Sequence, residues 1–321
     1  MNNALHTLSA QAASWLPAGE IPGGMSSTDM PGDKVLIQAA HLQKANILFP
    51  SLLPLLIEAL RANKHERAVI SICGGSGTGK SETALLIAYY LRQLGVDAYA
   101  LSGDNYPHRI PKYNDIERLN VFRTEGIREL IARGMYTNEL REKLAELQKT
   151  GADTDAGLVA AHPWLAVYQQ GGDCGLRGYL GTEKEINFAE LSDIIKQFKN
   201  GADRIFLKRM GREEGTTWYE AIDFRNTSVL IIEWTHSNSD YLRGVDIPVL
   251  LWSTPQETLA YRRARGRDKG VDSPFVTRVL NIERDLLFAQ AHRAKLIVSS
   301  QCQIITHNDL FQTSGRNDNA N

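Results

Sequence analysis

The sequence predicts an α/β protein, a mostly parallel sheet with helices packed on both faces. Short apolar runs ("RAVISICGG", "VDAYALS", "TSVLIIEW", "DIPVLLWS" and "KLIVSS") alternate with longer stretches of helical spacing. Such runs read as strands buried on both sides, the habit of parallel sheets. The first run ends in glycines and passes straight into "KSETALLIAYYLRQLG", with "VDAYALS" after it. Strand, glycine loop, helix and strand make one βαβ unit, whose crossover is right-handed.

Along the chain, the residues up to about Asp33 carry the breakers "IPGG" and "MPGD", and residues 1–50 are expected to form an N-terminal extension. The main domain is expected over 51–311. A core-facing helix is predicted from about Ser51 to Ala62, within an apolar stretch that Pro50 and Pro54 interrupt. The helix after the glycines spaces Ala84, Leu85, Ala88 and Leu91 helically and closes at Gly95. Residues of about 118–180 are polar and helical with no strand, which predicts a helical insertion. "NFAELSDIIKQFKNG" puts Phe188, Leu191, Ile194, Ile195 and Phe198 on one helix face. A hairpin is predicted over about 203–224, turning near Gly211 to Gly215. A basic helix follows in "PQETLAYRRARGRDKG", then a long one in "SPFVTRVLNIERDLLFAQAHRA". The polar end, 312–321, is expected to be disordered.

Composition narrows the function classes. Hydrophobic residues make up 43% of the 321, enough to bury a core. The 36 basic and 37 acidic residues nearly cancel, which argues against a nucleic-acid binder. Cys73, Cys174 and Cys302 are odd in number and far apart, with no disulfide or metal spacing, so a cytoplasmic home is expected. The start of the chain has no basic, apolar leader, and no membrane association is expected.

Chemistry enters at Gly74-Gly75-Ser76-Gly77-Thr78-Gly79-Lys80-Ser81, which matches the phosphate-loop pattern G-x-x-x-x-G-K-S/T between a strand and a helix. Glycines let successive backbone N–H groups converge on phosphate oxygens, and the helix N-terminus adds partial positive charge. Lys80 supplies a point charge to the β- and γ-phosphates, and the Ser81 hydroxyl suits Mg²⁺. These eight residues and the adjoining Glu82 are the predicted nucleotide-binding set, with ATP and Mg²⁺ as cofactors. The one "NK" in the chain lies upstream of the loop, so the base-reading element of a GTPase is missing. "LSGD" shares three letters with an ABC-type signature but stands at a strand end. "VLIIEW" lacks the acidic pair of mechanochemical ATPases. A small-molecule kinase is the favoured class.

With the phosphate loop "GGSGTGKS", the "GDNYP" that closes the second strand, the "VLIIEW" strand ending in glutamate and the basic "RRARGRD", the chain resembles the uridine kinase, phosphoribulokinase and type I pantothenate kinase family of P-loop kinases. The likeness runs over about Ala68 to Ser300. It implies the P-loop NTPase fold, a five-stranded parallel sheet of order 2-3-1-4-5, and substrate beyond the carboxyl edge. The chain departs from the pattern at Trp234-Thr235-His236, where many members have glycine after the glutamate.

In this frame Asp104 is the candidate base that takes the acceptor's hydroxyl proton, with an Asx cap as the alternative. Glu233 joins Ser81 as a candidate Mg²⁺ ligand. Arg262, Arg263, Arg265 and Arg267 are candidate lid cations, Arg263 and Arg267 preferred, because guanidinium forks suit phosphoryl charge. Tyr106, His108, Arg109, Lys208 and Arg209 are candidates for the acceptor site. Trp234, His236 and Cys73 are expected to serve structure. The reading is an ATP-dependent kinase acting on a hydroxyl of a nucleoside, sugar, sugar phosphate, polyol or hydroxy acid. A P-loop ATPase or nucleotide-sensing regulator is the alternative. The expected partner is a small-molecule acceptor, and a homodimer stays open.

Overall fold

Seven-residue runs such as "AVISICG" and "TSVLIIE" have no polar face to offer water, and both form strands whose every residue is buried. They lie side by side at the centre of the sheet in the computed structural model, which describes residues 3–23, 28–211, 216–265, 270 and 273–317. The strands are β1 (Ala68–Gly74), β2 (Asp97–Ser102), β3 (Arg204–Met210), β4 (Thr217–Asp223), β5 (Thr227–Glu233), β6 (Ile247–Leu251), β7 (Leu296–Val298) and β8 (Ile304–Ile305). A six-stranded sheet runs β2-β5-β1-β6-β7-β8, and β3 with β4 makes a separate hairpin. Its five parallel strands stand in the order 2-3-1-4-5 of the P-loop NTPase fold, and β8 adds an antiparallel edge.

The helices are α1 (Ala4–Gln11), α2 (Ala39–Ala62), α3 (Lys80–Gln93), α4 (Pro111–Ala132), α5 (Asn138–Thr150), α6 (Trp164–Arg177), α7 (Phe188–Lys199), α8 (Leu259–Arg265), α9 (Pro274–Ala289) and α10 (His307–Asn317). One face of the sheet is covered by α1, α2 and α3, the other by α7 and the hairpin. The five apolar residues of α7 all point into this second layer. Helices α4, α5 and α6 form the insertion, which begins at Pro111, and α9 packs against it.

Two expectations need correction. The helix predicted from about Ser51 starts at Ala39, so residues 1–50 are not an extension apart from the domain. Pro50 and Pro54 lie within it on the exposed side, where the carbonyls they leave unpaired reach water. Opposite them Leu42, Ala45, Leu48, Phe49, Leu52, Leu53, Leu56 and Leu60 make an unbroken buried face. At roughly 1.5–3 kcal/mol per buried side chain, that face outweighs about 3 kcal/mol for each proline. By length and composition α2 would also span a membrane, yet here it is a core helix. At the other end α10 runs to Asn317, so the expected disordered tail is helical over its first six residues. Residues 318–321 lie outside the described set.

Candidate active site

The carboxyl ends of β1, β2 and β5 bring the predicted groups together. Register pairs Glu233 with Ile72 on one side and Ser102 on the other, which sets its carboxylate at the root of the phosphate loop. Gly74, Gly77 and Gly79 have φ of 158°, 81° and 86°. A Cβ at Gly74 would meet Leu251 O at 2.7 Å, so the loop's first turn has room only for glycine. Thr78 Oγ1 donates to Gly75 O at 2.9 Å, and Lys80 Nζ folds over the loop to donate to the same oxygen at 2.9 Å. Ser81 Oγ donates to Glu233 Oε2 at 3.0 Å. Burial and the neighbouring Asp104 charge push the Glu233 carboxyl up to about 8, against the pull of Lys80.

A Mg²⁺–nucleotide fits this donor set. Mg²⁺ takes hard oxygen ligands, usually one or two carboxylates with phosphates and water. Ser81 and Glu233 provide a hydroxyl and a carboxylate in contact at the mouth of a glycine cradle. No cluster of three acidic, His or Cys ligands occurs among the described residues, and none is needed for an ion shared with phosphates.

Asp104 is exposed on a single 3₁₀ turn, Gly103–Asn105, immediately beyond β2. Its neighbour Asn105 is buried, and its Oδ1 accepts from Met210 N on β3 at 3.0 Å. Asp104 itself makes no hydrogen bond among the described residues, and its charge bears on Glu233 and His236. Asp104 thus shows no Asx-cap hydrogen bond among the described residues, and its charge stands at the carboxyl edge beside Glu233.

The other candidates divide. Arg109 is half-buried, with Nη1 on Tyr179 Oη at 3.2 Å and Nη2 on Glu117 at 3.3 Å. His108 is exposed, its ring against Glu183 O. Tyr106 is fully buried and packs in the α7 layer of the core. Lys208 is buried and donates to Pro107 O. Arg209 gives its N–H groups to Asp29, Glu220, Tyr99 Oη and Lys208 O, which commits it to the fold and corrects its substrate-binding assignment. On α8 it is Arg262 that reaches the phosphate loop: its Cγ lies 3.0 Å from where a Cβ on Gly77 would stand. Arg263 is exposed on the same helix, the side chain of Arg265 is not described, and Arg267 lies outside the described residues. Trp234 and Cys73 are buried, as expected. The Trp234 ring turns inward onto Phe188 and fills the space beside Gly103.

Several residues were not legible from spacing. Arg118 on α4 donates Nε to Glu185 Oε1 at 2.7 Å and lies 3.6 Å from Glu283 of α9. Burial alone would lower the Arg118 pKa, but Glu185, Glu283 and Asp115 outweigh it and hold it above the usual range. Arg118 and Lys80 both bear on His236 and Glu283, so the insertion contributes a cation on the loop's side of the molecule. Glu283 and Arg284 line a cleft with Gly75, Ser76 and Thr258. From α2, Lys44 Nζ donates to Thr78 O at 2.6 Å and His41 packs against Gly79. A basic residue 34 positions before its partner leaves no local signature.

Sheet order and phosphate loop define an α/β protein of the P-loop NTPase fold. No protein-family model matches the chain. The chain is similar to the bifunctional alpha-galactosidase/sucrose kinase AgaSK of Mediterraneibacter gnavus, 40% identical over 236 residues, which is 74% of this chain and 20% of that protein. The chain thus spans about one fifth of the length of this curated relative. Similar solved structures include a putative fructose transport system kinase from Silicibacter sp. TM1040 (14% identity, TM-score 0.43, 79% of this chain and 95% of that one). A possible uridine kinase from Bacillus stearothermophilus shows 13% identity and a TM-score of 0.42, over 77% and 98% of the two chains. The YGR205w protein shows 13% identity and a TM-score of 0.45, over 84% and 98%.

Proposed function

We propose that the protein is an ATP-dependent kinase that phosphorylates a hydroxyl of a small neutral sugar. The observation that carries this is Asp104, exposed and without a hydrogen-bond partner among the described residues, beside a phosphate loop whose Ser81 meets Glu233 at 3.0 Å. Phosphoryl transfer needs little more than positioning, charge neutralisation and one base. Loop N–H groups and Lys80 hold the phosphates. Asp104 accepts the hydroxyl proton as the acceptor oxygen bonds to the terminal phosphorus and the bond from that phosphorus to ADP breaks. Ser81 and Glu233 would hold Mg²⁺, which supplies neutralisation of phosphate charge.

Two observations support a neutral sugar. Lys208, Arg209 and Arg109, the cations expected at the acceptor site, are engaged by protein oxygens, which suits an uncharged polyol better than a sugar phosphate. The similar bifunctional protein is named for a glycosidase and a sucrose kinase activity, and of these two only the kinase uses a nucleotide of the kind a phosphate loop binds. The fifth of it that this chain matches therefore fits the kinase half.

The test is ADP release with Mg²⁺-ATP across sucrose, fructose, glucose, uridine and ribulose 5-phosphate. A neutral sugar should raise turnover far above the basal rate. Stimulation by the sugar phosphate alone would overturn the acceptor class. Acceptor-independent release would favour an ATPase or a nucleotide-sensing regulator.

A further inference from the structure

We infer that Lys44, on α2, is a positioning residue for the nucleotide phosphates, acting from behind the loop by fixing the Thr78–Gly79 peptide. The inference rests on the reading of Gly74–Ser81 as an ATP site and extends that site to a helix outside the motif.

Lys44 is 7% exposed, and its ammonium meets Thr78 O at 2.6 Å. A trans peptide is planar, with its carbonyl and N–H on opposite sides. Anchoring the Thr78 carbonyl toward α2 turns the Gly79 N–H the other way, toward the phosphates. A cation on the carbonyl also polarises the peptide, which strengthens the N–H as a donor. His41, one turn earlier on α2, closes the same place: a Cβ on Gly79 would lie 2.7 Å from its Cδ2. Gln38 N donates to His41 Nδ1 at 3.2 Å, which fixes the ring against the loop. The first turns of α2 thus form a rear wall for Gly79, whose φ of 86° is itself a strained choice for any other residue.

Holding α2 in place would not by itself call for a buried ammonium. Burial lowers the Lys44 pKa, with Glu82 and Cys302 opposing and Lys80 adding to the shift. Apolar groups of similar volume often serve packing as well as a buried charge, or better. Lysine at this point adds a second positive charge next to Lys80, on the side of the loop that phosphate does not touch.

The experiment compares wild type, Lys44→Met and Lys44→Arg in the full chain, by calorimetric titration with ADP and with adenosine in Mg²⁺ and by thermal melting without nucleotide. Lys44→Met should weaken ADP about tenfold, leave adenosine unchanged, and melt at the wild-type temperature or above. Lys44→Arg, which keeps a charged donor, should recover ADP affinity to within about threefold of wild type. Unchanged ADP affinity in Lys44→Met, or equal weakening of ADP and adenosine, overturns the inference. Should Lys44→Met not fold, Lys44→Gln carries the same comparison. Wild type that binds no ADP sinks the ATP-site reading and this inference together, whereas wild-type binding matched by Lys44→Met sinks the inference alone.

Discussion

Asp104 and His236 share one corner of the site, where the charge of the first bears on the second. Replacing Asp104 with Asn keeps its shape and removes the base. Turnover should fall by about 10²–10⁴ while ADP affinity stays within a few-fold. Equal loss of both would make Asp104 a structural residue, which steady-state kinetics and ADP titration together would show. His236 is buried, and burial holds its pKa down at about 4, against the pull of Glu185. The unfolded chain takes up its proton near the ordinary value of 6.5, while the folded one refuses it until about 4. Between those values the unfolded state binds more protons, so stability falls as pH drops through that window, by on the order of 3 kcal/mol. This is the share of His236 alone, because Glu233, pushed up to about 8, and Asp29, pushed up to about 7, take up protons first in the folded state and contribute the opposite sign. It is read as a difference in urea unfolding from pH 7 to 4: relative to its own stability at pH 7, His236→Asn should be more stable at pH 4 than wild type is.

Elements matter because the site is assembled from pieces far apart in sequence. Gly103 and Trp234 end neighbouring stretches, and a Cβ at 103 would lie 2.2 Å from Trp234 Cγ. Gly103→Ala is therefore expected to cost about 1–3 kcal/mol. Trp234→Leu should relieve most of it in a double-mutant cycle read by denaturation. The bulky residue after Glu233 thus takes its room from Gly103. On the insertion, Arg118→Ala would strip a charge partner from Glu185, which is 1% exposed. About 3 kcal/mol or more of stability should be lost on chemical denaturation.

The five central strands were legible because a strand buried on both sides has a continuous apolar signature. The phosphate loop was legible because its glycines, Lys80 and Ser81 are contiguous. The first half of α2 was hidden by Pro50 and Pro54, whose exposed placement only the tertiary structure reveals. Arg118, Lys44 and Glu185 were hidden because their meaning lies in partners 34 to 165 residues away. Arg209 looked like a substrate cation until Asp29 and Glu220 accounted for it.

At the scale of the molecule, the N-terminal residues belong to the same core as the nucleotide site. Leu8 is fully buried, and the Trp15 ring meets Phe49 and Tyr90 at 5.0 and 5.5 Å. A chain beginning at Ala39 should keep the phosphate loop but lose about 3–5 kcal/mol of packing, and melt roughly 5–10 °C lower. Differential scanning calorimetry of the two forms measures it.

The rims of the sheet have a consequence for the company the protein keeps in a crowded solution. On the β2 side, the backbone N–H of Ser102 is already taken by Asp29 at 2.6 Å. On the far side the sheet finishes in β8, two residues long and antiparallel to its neighbour. On the β2 rim the Ala98 carbonyl is also taken, by Arg92, and a two-residue β8 is too short to serve as the template on which a foreign strand would zip. Each of these features works against fibrous self-association through the sheet, because a foreign strand would find the ladder interrupted on one rim and too short on the other.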